Sequence, residues 1–434
     1  MTNPPIPPAS WPGSQIFQLP LLGSVVQDLE ANLALPPAVG VALALQAVSA
    51  AVGSAAVLRD DPAPPLGASL HTLVAASPGS TLPLALDVIL SPLRSMQVQL
   101  NQMAATGPSM LAGDPALRAR ELRACMSPVI LAQDVPFSGL MSAPARAFDG
   151  CVLATFSAVA WSRLWTELAA APNGSRRHLF LQALTGHAPL DKGRPLRTGT
   201  VSLLAEVRPD SESWSGLVDF LPADLCQRSL VVNVGLGPAN PRGNAALPPE
   251  LADAWADRLQ QLFQERGRDM PGDVPLSAAA QSSFRQFHAE LVAGASSSPV
   301  QNHELIFGWP MLARRLALLL HLADYADGPL SGKIAEAGIA LSRFYGSHLL
   351  SLRDAARLQL EQAALEADCD RLLNALRQFP SVKRRQLFRK FNGQSYERWN
   401  KVLEVLVRRG LAVEVAYDEF AVAENLLPVS SSTV

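Results

Sequence analysis

Apolar positions follow two different rhythms along the chain. Residues 14–58 carry helical spacing, divided by Pro36 and Pro37, and predict two helices, the second beginning where proline is tolerated. From 69 to about 236, short apolar runs at 70–75, 151–155, 201–207 and 229–234 alternate with helical patterns. Those runs predict strands, and the alternation predicts an α/β sheet. Beyond a Gly-, Pro- and Asn-rich stretch at 235–249, residues 251–267, 277–293, 311–325 and 334–360 read as helices, with a loop at 295–299.

The last part changes character. Residues 367–379 and 382–391 predict two helices, and Asn392, Gly393 and Gln394 a turn. Ser395 is placed to cap a third helix whose apolar face is Tyr396, Trp399, Leu403 and Leu406. Runs at 411–415 and 420–422, separated by Tyr417, Asp418 and Glu419, predict a two-stranded ribbon. Three helices followed by a ribbon describe a winged helix-turn-helix.

Composition narrows the classes. A chain of 434 residues, 48% apolar, is long enough for several domains and a sizeable core. Net charge is −2 and the pI is near 6.4, so no global basic field attracts nucleic acid. Four cysteines lie far apart with no C-x-x-C pair, and the seven histidines show no ligand spacing. No metal site and no disulfide framework are expected, and a reducing cytoplasm fits. The Pro-rich start, MTNPPIPPASWPG, has no positive charge before an apolar core and does not read as a signal peptide. Residues 38–58 are uncharged over a membrane-spanning length, but they are mostly Ala and include Gly40, Gln46, Ser49, Gly53 and Ser54. A buried helix is the expectation, with no membrane contact.

Candidate chemistry begins at 71–90, HTLVAASPGSTLPLALDVIL. An apolar strand, a small-residue turn and a helix follow one another as in a phosphate-binding loop. Pro78, Gly79, Ser80 and Thr81 keep such a turn, but the places of the phosphate-binding Lys and the Mg²⁺-binding hydroxyl read Leu82 and Pro83. Leu supplies no cation, and Pro supplies neither hydroxyl nor N–H.

Over about residues 14–360 the chain resembles the bacterial family typified by the prophage protein YfjI, a RecA-like P-loop group of mobile elements related to primase-associated helicases. The stretches that carry the resemblance are 33–37, 38–58, 73–84, 153–164, 180–194, 201–210, 225–230 and 312–324, in the family's order. The family's strand into "aPPGSGKSpal" is answered by 73–84, and its acidic "SDEGG" by Ala154, Thr155, Phe156, Ser157 and Ala158. The resemblance implies a RecA-like core, with Arg228 at the place of a subunit-edge arginine and Arg208 at that of a polar sensor. Arg228 also reads as a structural arginine at a strand entrance, and Arg208 as one member of a surface ion pair. With the Lys, the hydroxyl and the acidic pair all missing, hydrolysis is expected to be lost; recruitment of nearby Asp149 is the route by which it would survive. Basic stretches at 175–178 and 191–197 read as loops able to face DNA in a ring, or as ordinary solvated loops.

The strongest local charge lies at 383–409. Lys383, Arg384, Arg385, Arg389, Lys390, Arg398, Lys401, Arg408 and Arg409 stand against Glu397 and Glu404, a net +7 around the expected turn and third helix. Ser395, Arg398 and Lys401 are expected on the outward side, facing DNA; a protein-docking surface is the competing reading.

The expected layout is therefore a tail at 1–13, a helical region at 14–66, a RecA-like α/β core at 67–240, a helical region at 248–360, a winged helix at 361–425 and a tail at 426–434. The expected function is a DNA-binding, helicase-like protein of a plasmid, prophage or integrative element, acting in replication or maintenance without ATP hydrolysis. It would need no cofactor, ATP and Mg²⁺ entering only if the altered loop is still used. It would assemble with itself or dock an active helicase or primase. The alternatives are an ATP-dependent hexameric helicase with a reorganised site and a DNA-binding regulator that does not assemble.

Overall fold

The computed structural model describes residues 9–60, 65–106, 129–147, 149, 151–170, 175–185, 190–191, 194–195, 200–209, 223–243, 245–266, 271–295, 300–324, 328–389 and 396–423. The expected turn at 392–394, and with it Lys390 and Ser395, lies outside the described residues. The chain divides into two compact units, Met1–Arg353 and Asp354–Val434.

The first unit opens with α1 (Gly13–Ile16), α2 (Pro20–Leu33) and α3 (Pro37–Val52), followed by β1 (Ala56–Arg59), β2 (Leu66–Gly67), β3 (His71–Ala76) and α4 (Leu82–Thr106). Next come β4 (Leu131–Gln133), α5 (Phe137–Ser142), β5 (Cys151–Phe156), α6 (Ala158–Ala169) and α7 (Ser175–Thr185). The short strands β6 (Leu190–Asp191) and β7 (Arg194–Pro195) precede β8 (Thr200–Val207), α8 (Ala223–Cys226) and β9 (Ser229–Leu236). Then follow α9 (Pro249–Glu265), β10 (Gly272–Pro275), α10 (Ala278–Ala295) and α11 (Val300–Ala323). The long α12 (Gly332–Leu376) begins in this unit and ends in the second.

Five strands form one parallel sheet in the order β4-β5-β8-β3-β9. The four expected strands are all in it; β4, only three residues long, was not foreseen. The interior strand β3, between β8 and β9, is buried at every position, as parallel strands covered on both faces are. Consecutive side chains of β3 leave opposite faces. Thr72 Oγ1 donates to Gln46 of α3 at 2.8 Å, while the His71 ring meets the Leu184 carbonyl of α7 at 3.1 Å. Helices therefore cover both faces.

The uncharged stretch near the start is α3, the helix on which this unit is built. Every residue from Ala38 to Val52 is buried, and the helix packs on β3, β5, β8 and β9 and on α2, α4, α9 and α11. Its few polar residues are joints to the sheet: Gln46 Nε2 donates to the Leu70 carbonyl at 3.0 Å, and Ser49 Oγ accepts from the Leu70 amide at 3.1 Å. Buried polar groups need such partners. The regions expected at 14–66 and 67–240, and the one expected at 248–360 as far as Arg353, thus pack into one unit.

One helix among the described residues, Asn302–Ala323, is long and apolar enough to cross a membrane, and 83% of that window is buried inside the protein. It lies within α11, which starts well before the expected position 311 and runs through Pro310. The helix expected at 334–360 and the one expected at 367–379 are a single helix, α12. No Gly or Pro falls between Gly346 and Pro380 to break it.

In the second unit, β11 (Val382–Lys383), α13 (Arg384–Arg389), α14 (Tyr396–Arg408), β12 (Ala412–Ala416) and β13 (Glu419–Val422) follow α12. The strands form an antiparallel sheet in the order β11-β13-β12. Two expectations are corrected. Residues 382–383 are strand, because they pair with Phe420 and Glu419, and the helix begins only at Arg384. Tyr396 is 55% exposed, and the buried face of α14 is Trp399, Val402, Leu403 and Leu406. Tyr396 is the first residue of the helix, and the core, which includes Leu372, Leu376, Leu387 and Phe420, lies against the later turns.

Candidate functional site

Ligands of open parallel α/β sheets sit beyond the carboxyl ends of the strands. Here that edge carries the turn after β3, Asp134 after β4, Ser157 after β5, Arg208 after β8 and Gly237 after β9.

The strand, turn and helix expected at 71–90 are present, but the turn is closed. Ser80 N–H donates to the Ser77 carbonyl at 3.2 Å, and Gly79 has φ +80°. With Pro78 before Gly79, this is the composition and glycine dihedral of a type II turn, not an open cradle of amides. Leu82 begins α4 and is buried in the core, so the position expected for a phosphate-binding Lys faces inward. Pro83 is exposed in the first helical turn, where its missing N–H costs nothing. Thr81 is buried and its hydroxyl has no hydrogen-bond partner among the described residues. The segment after β9 crosses the turn: Ala239 N–H donates to the Gly79 carbonyl at 3.2 Å, and a side-chain carbon added at Gly79 would stand 3.5 Å from Pro238.

At the place of the acidic pair, Phe156 is buried and meets Trp161 edge-on, with ring centroids 6.1 Å apart. Trp161 in turn lies 6.5 Å from the Phe180 ring. Aromatic rings, not carboxylates, occupy the end of β5. Two other carboxylates, missed by the sequence reading, do reach this edge. Asp134, with φ +48°, accepts from Ser157 N at 2.8 Å and from Ser157 Oγ at 3.1 Å. Glu206 of β8 accepts from the Ala158 amide; burial pushes its carboxyl above the usual range, and the nearby Asp134 charge adds to this, against the pull of that amide and Arg208. Both carboxylates are thus committed to the N-terminus of α6, where negative charge is favoured. These residues do not fit a nucleotide with Mg²⁺: the position expected for Lys is buried Leu, the one expected for the hydroxyl is Pro, and Asp134 and Glu206 are engaged by backbone amides.

Arg208 lines a cavity of about 590 Å³ with Arg163 and Glu167, and a neighbouring cavity of about 400 Å³ includes Asp134.

Asp149 is at the other end of the sheet, just before β5. Its carboxylate forms an ion pair with Arg266, with side chains 7% and 1% exposed, and accepts from Ser54 N at 2.8 Å and Cys151 N at 3.0 Å. Burial alone would raise the Asp149 pKa; the hydrogen bonds and charge of Arg266 and the two amides outweigh it and hold the carboxyl below its ordinary range. Recruitment of Asp149 to the turn after β3 is excluded by this position.

Arg228 also lies at the amino edge, immediately before β9, where its Nη1 donates to the Thr185 carbonyl at 3.2 Å. It stands near His71, whose pKa falls to about 3 through burial first and then the charges of Arg228 and Arg315. The His71 ring is neutral, accepting from Leu203 N at Nδ1 at 3.2 Å and donating from Nε2 to Leu184. Residues 175–178, expected as a loop, form the first turn of α7, with Arg176 over the Phe137 ring at 5.9 Å. Of 191–197, Asp191 pairs with Arg194 in the β6–β7 ladder, and 192–193 and 196–197 lie outside the described residues.

The cations of the second unit divide into two sets. Arg398 Nε donates to Asp368 at 2.7 Å, a carboxylate of α12 that is 2% exposed. Arg409 makes a two-pronged contact with Glu366, both bonds 2.6 Å, and Arg384 pairs with Asp418 at 2.9 Å while lying over the Phe420 ring. Lys383, Arg385, Arg389, Lys401 and Arg408 are exposed and have no ion-pair partner among the described residues. Over 354–434, twelve Lys and Arg meet eleven Asp and Glu, so the unit is nearly neutral.

The fold is thus that of a mixed α/β protein with a helix-flanked five-stranded parallel sheet, joined to a small helical unit with an antiparallel sheet. No family model matches the chain, and no curated protein matches it in sequence.

Proposed function

We propose that this is a DNA-binding protein whose first unit is a RecA-like core that no longer hydrolyses ATP, and whose second unit is a winged helix that holds duplex DNA. The observation that carries this reading is the set of unpaired cations, Lys383, Arg385, Arg389, Lys401 and Arg408, displayed by β11, α13 and α14. The order helix, strand, helix, helix and hairpin, with β11 joined to β13, supports the winged-helix assignment. In that arrangement Lys401 on α14 faces the groove and Lys383, Arg385 and Arg389 meet the flanking phosphates.

The interior place of β3 in the parallel sheet, with a turn and long helix after it, supports a RecA-like origin for the core. The closed turn, buried Leu82 and the aromatic residues at the end of β5 support loss of turnover. Such a core would serve as a scaffold that assembles with itself or docks an active helicase or primase. The sequence resemblance adds the setting, replication or maintenance of a mobile element. The test is a salt titration of the full chain on duplex DNA. Binding at low salt is expected, with log affinity falling by about 0.9 per phosphate contact for each tenfold rise in salt. Absence of any shift at low salt from a folded chain would overturn the reading.

A further inference from the structure

The hairpin of the second unit leaves a strand edge open. In the order β11-β13-β12, the outer side of β12 has no partner among the described residues. Leu411, Val413 and Val415 are 38%, 38% and 42% exposed, and Tyr417 at the hairpin tip is 96% exposed. Natural edges are blunted by Lys, Pro or bulges. Residues 411–416 contain neither Lys nor Pro and their one charge is Glu414; the ladder to β13 is regular through Glu414, with a register shift only between Glu414 and Ala416.

The ladder shows which backbone groups are available. Ala423 N–H donates to the Leu411 carbonyl at 3.1 Å, and the register continues as Ala412↔Val422, Val413↔Ala421 and Glu414↔Phe420. Hydrogen-bonded and non-hydrogen-bonded pairs alternate along an antiparallel ladder. Leu411 and Val413 therefore direct their amides and carbonyls to β13, and Ala412 and Glu414 direct theirs outward.

We propose that two copies of the chain join edge to edge through β12, antiparallel about a two-fold axis, with Val413 facing Val413 of the second copy. Charge selects this register. Centred on Val413, it sets Glu414 opposite Ala412 and Leu411 opposite Val415, so exposed apolar residues meet across the junction. Centred on Glu414 it would oppose two carboxylates, which is unfavourable; centred on Ala412 it would set Val415 against Arg409. The outward groups of Ala412 and Glu414 bond in the chosen register, and the two hairpins become one continuous sheet. The interface is isologous and closes at two copies. It does not rest on nucleic-acid binding.

Sedimentation of the full chain at micromolar concentration tests the proposal, with DNA affinity measured in parallel so that either reading can fail alone. The unsubstituted chain is expected to be a dimer, and Val413→Lys to raise its dissociation constant at least about tenfold with an unchanged circular dichroism spectrum. Val413 would sit in a non-hydrogen-bonded pair with Cα atoms about 4.5 Å apart, within the roughly 4.4–6.8 Å that a disulfide spans. Val413→Cys should therefore form a linked dimer on mild oxidation, while Glu414→Cys and the unsubstituted chain should not. A monomer throughout, a dimer that survives Val413→Lys, or linkage at position 414 in place of 413 would each overturn the proposal.

Discussion

The amide of Ala239 donates to the carbonyl of Gly79 at 3.2 Å, fastening the segment after β9 onto the turn after β3. The same segment is held further along, where the amides of Arg242 and Gly243 donate to the Asn32 carbonyl at 2.7 and 3.2 Å. The turn is thus fixed from inside by its own Ser80 bond and from outside by this strap.

Restoring the expected chemistry at the turn should therefore fail. Leu82→Lys with Pro83→Ser should not create binding of a fluorescent ATP analogue or DNA-stimulated turnover. Because Leu82 is 1% exposed, the change should instead cost about 2–5 kcal/mol of stability, read as a lowered urea midpoint. Nucleotide binding by this variant would show that the turn opens.

Asp149 should matter for folding alone. Asp149→Ala leaves Arg266 buried without its partner and should cost roughly 3–5 kcal/mol, with no effect on DNA affinity of the folded fraction. Since the folded carboxyl titrates below its unfolded value, this stabilisation is complete above the unfolded pKa, near 4, and is lost as the pH falls through the folded one. Urea unfolding from pH 6 to 3 would check it.

Acid should act earlier through histidine. The unfolded His71 side chain takes up a proton below about pH 6.5, whereas the folded one resists until about 3. Stability should then fall with pH across that window at up to about 1.4 kcal/mol per unit. His348, whose ring accepts from Asn233 N at 3.0 Å and is likewise held below its ordinary value by burial, adds in the same direction. His71→Gln should flatten the slope between pH 6.5 and 5.

Two cations on one helix should behave differently. Lys401→Ala should weaken DNA binding and reduce the salt slope by about 0.9 without changing stability. Arg398→Ala should lower the melting temperature of the second unit as well, because Asp368 loses the guanidinium bonded to it. Comparable loss of affinity at unchanged melting temperature for both would place Arg398 on the DNA.

The sequence by itself determined the local pieces. The strand at 71–76, the turn at Pro78 and Gly79, the helix after it, the hairpin at 412–422 and the apolar stripe of α14 follow from backbone preference and periodicity among neighbours. Even the Ala-rich α3 was legible as a buried helix, since it has no charge to solvate. Three decisions belonged to the tertiary structure. Strand order and direction put Asp149 at the amino edge and brought Asp134 and Glu206 to the carboxyl edge, a juxtaposition with no spacing signal. The packing of α14 on α12 matched Arg398 to Asp368, thirty residues back, and left five cations of the basic stretch without an ion-pair partner among the described residues. The path of the chain after β9 laid Ala239 on Gly79. Each is a pairing between positions distant in sequence, and which distant groups meet is settled by how the sheet and helices close around a shared core, not by the residues beside them.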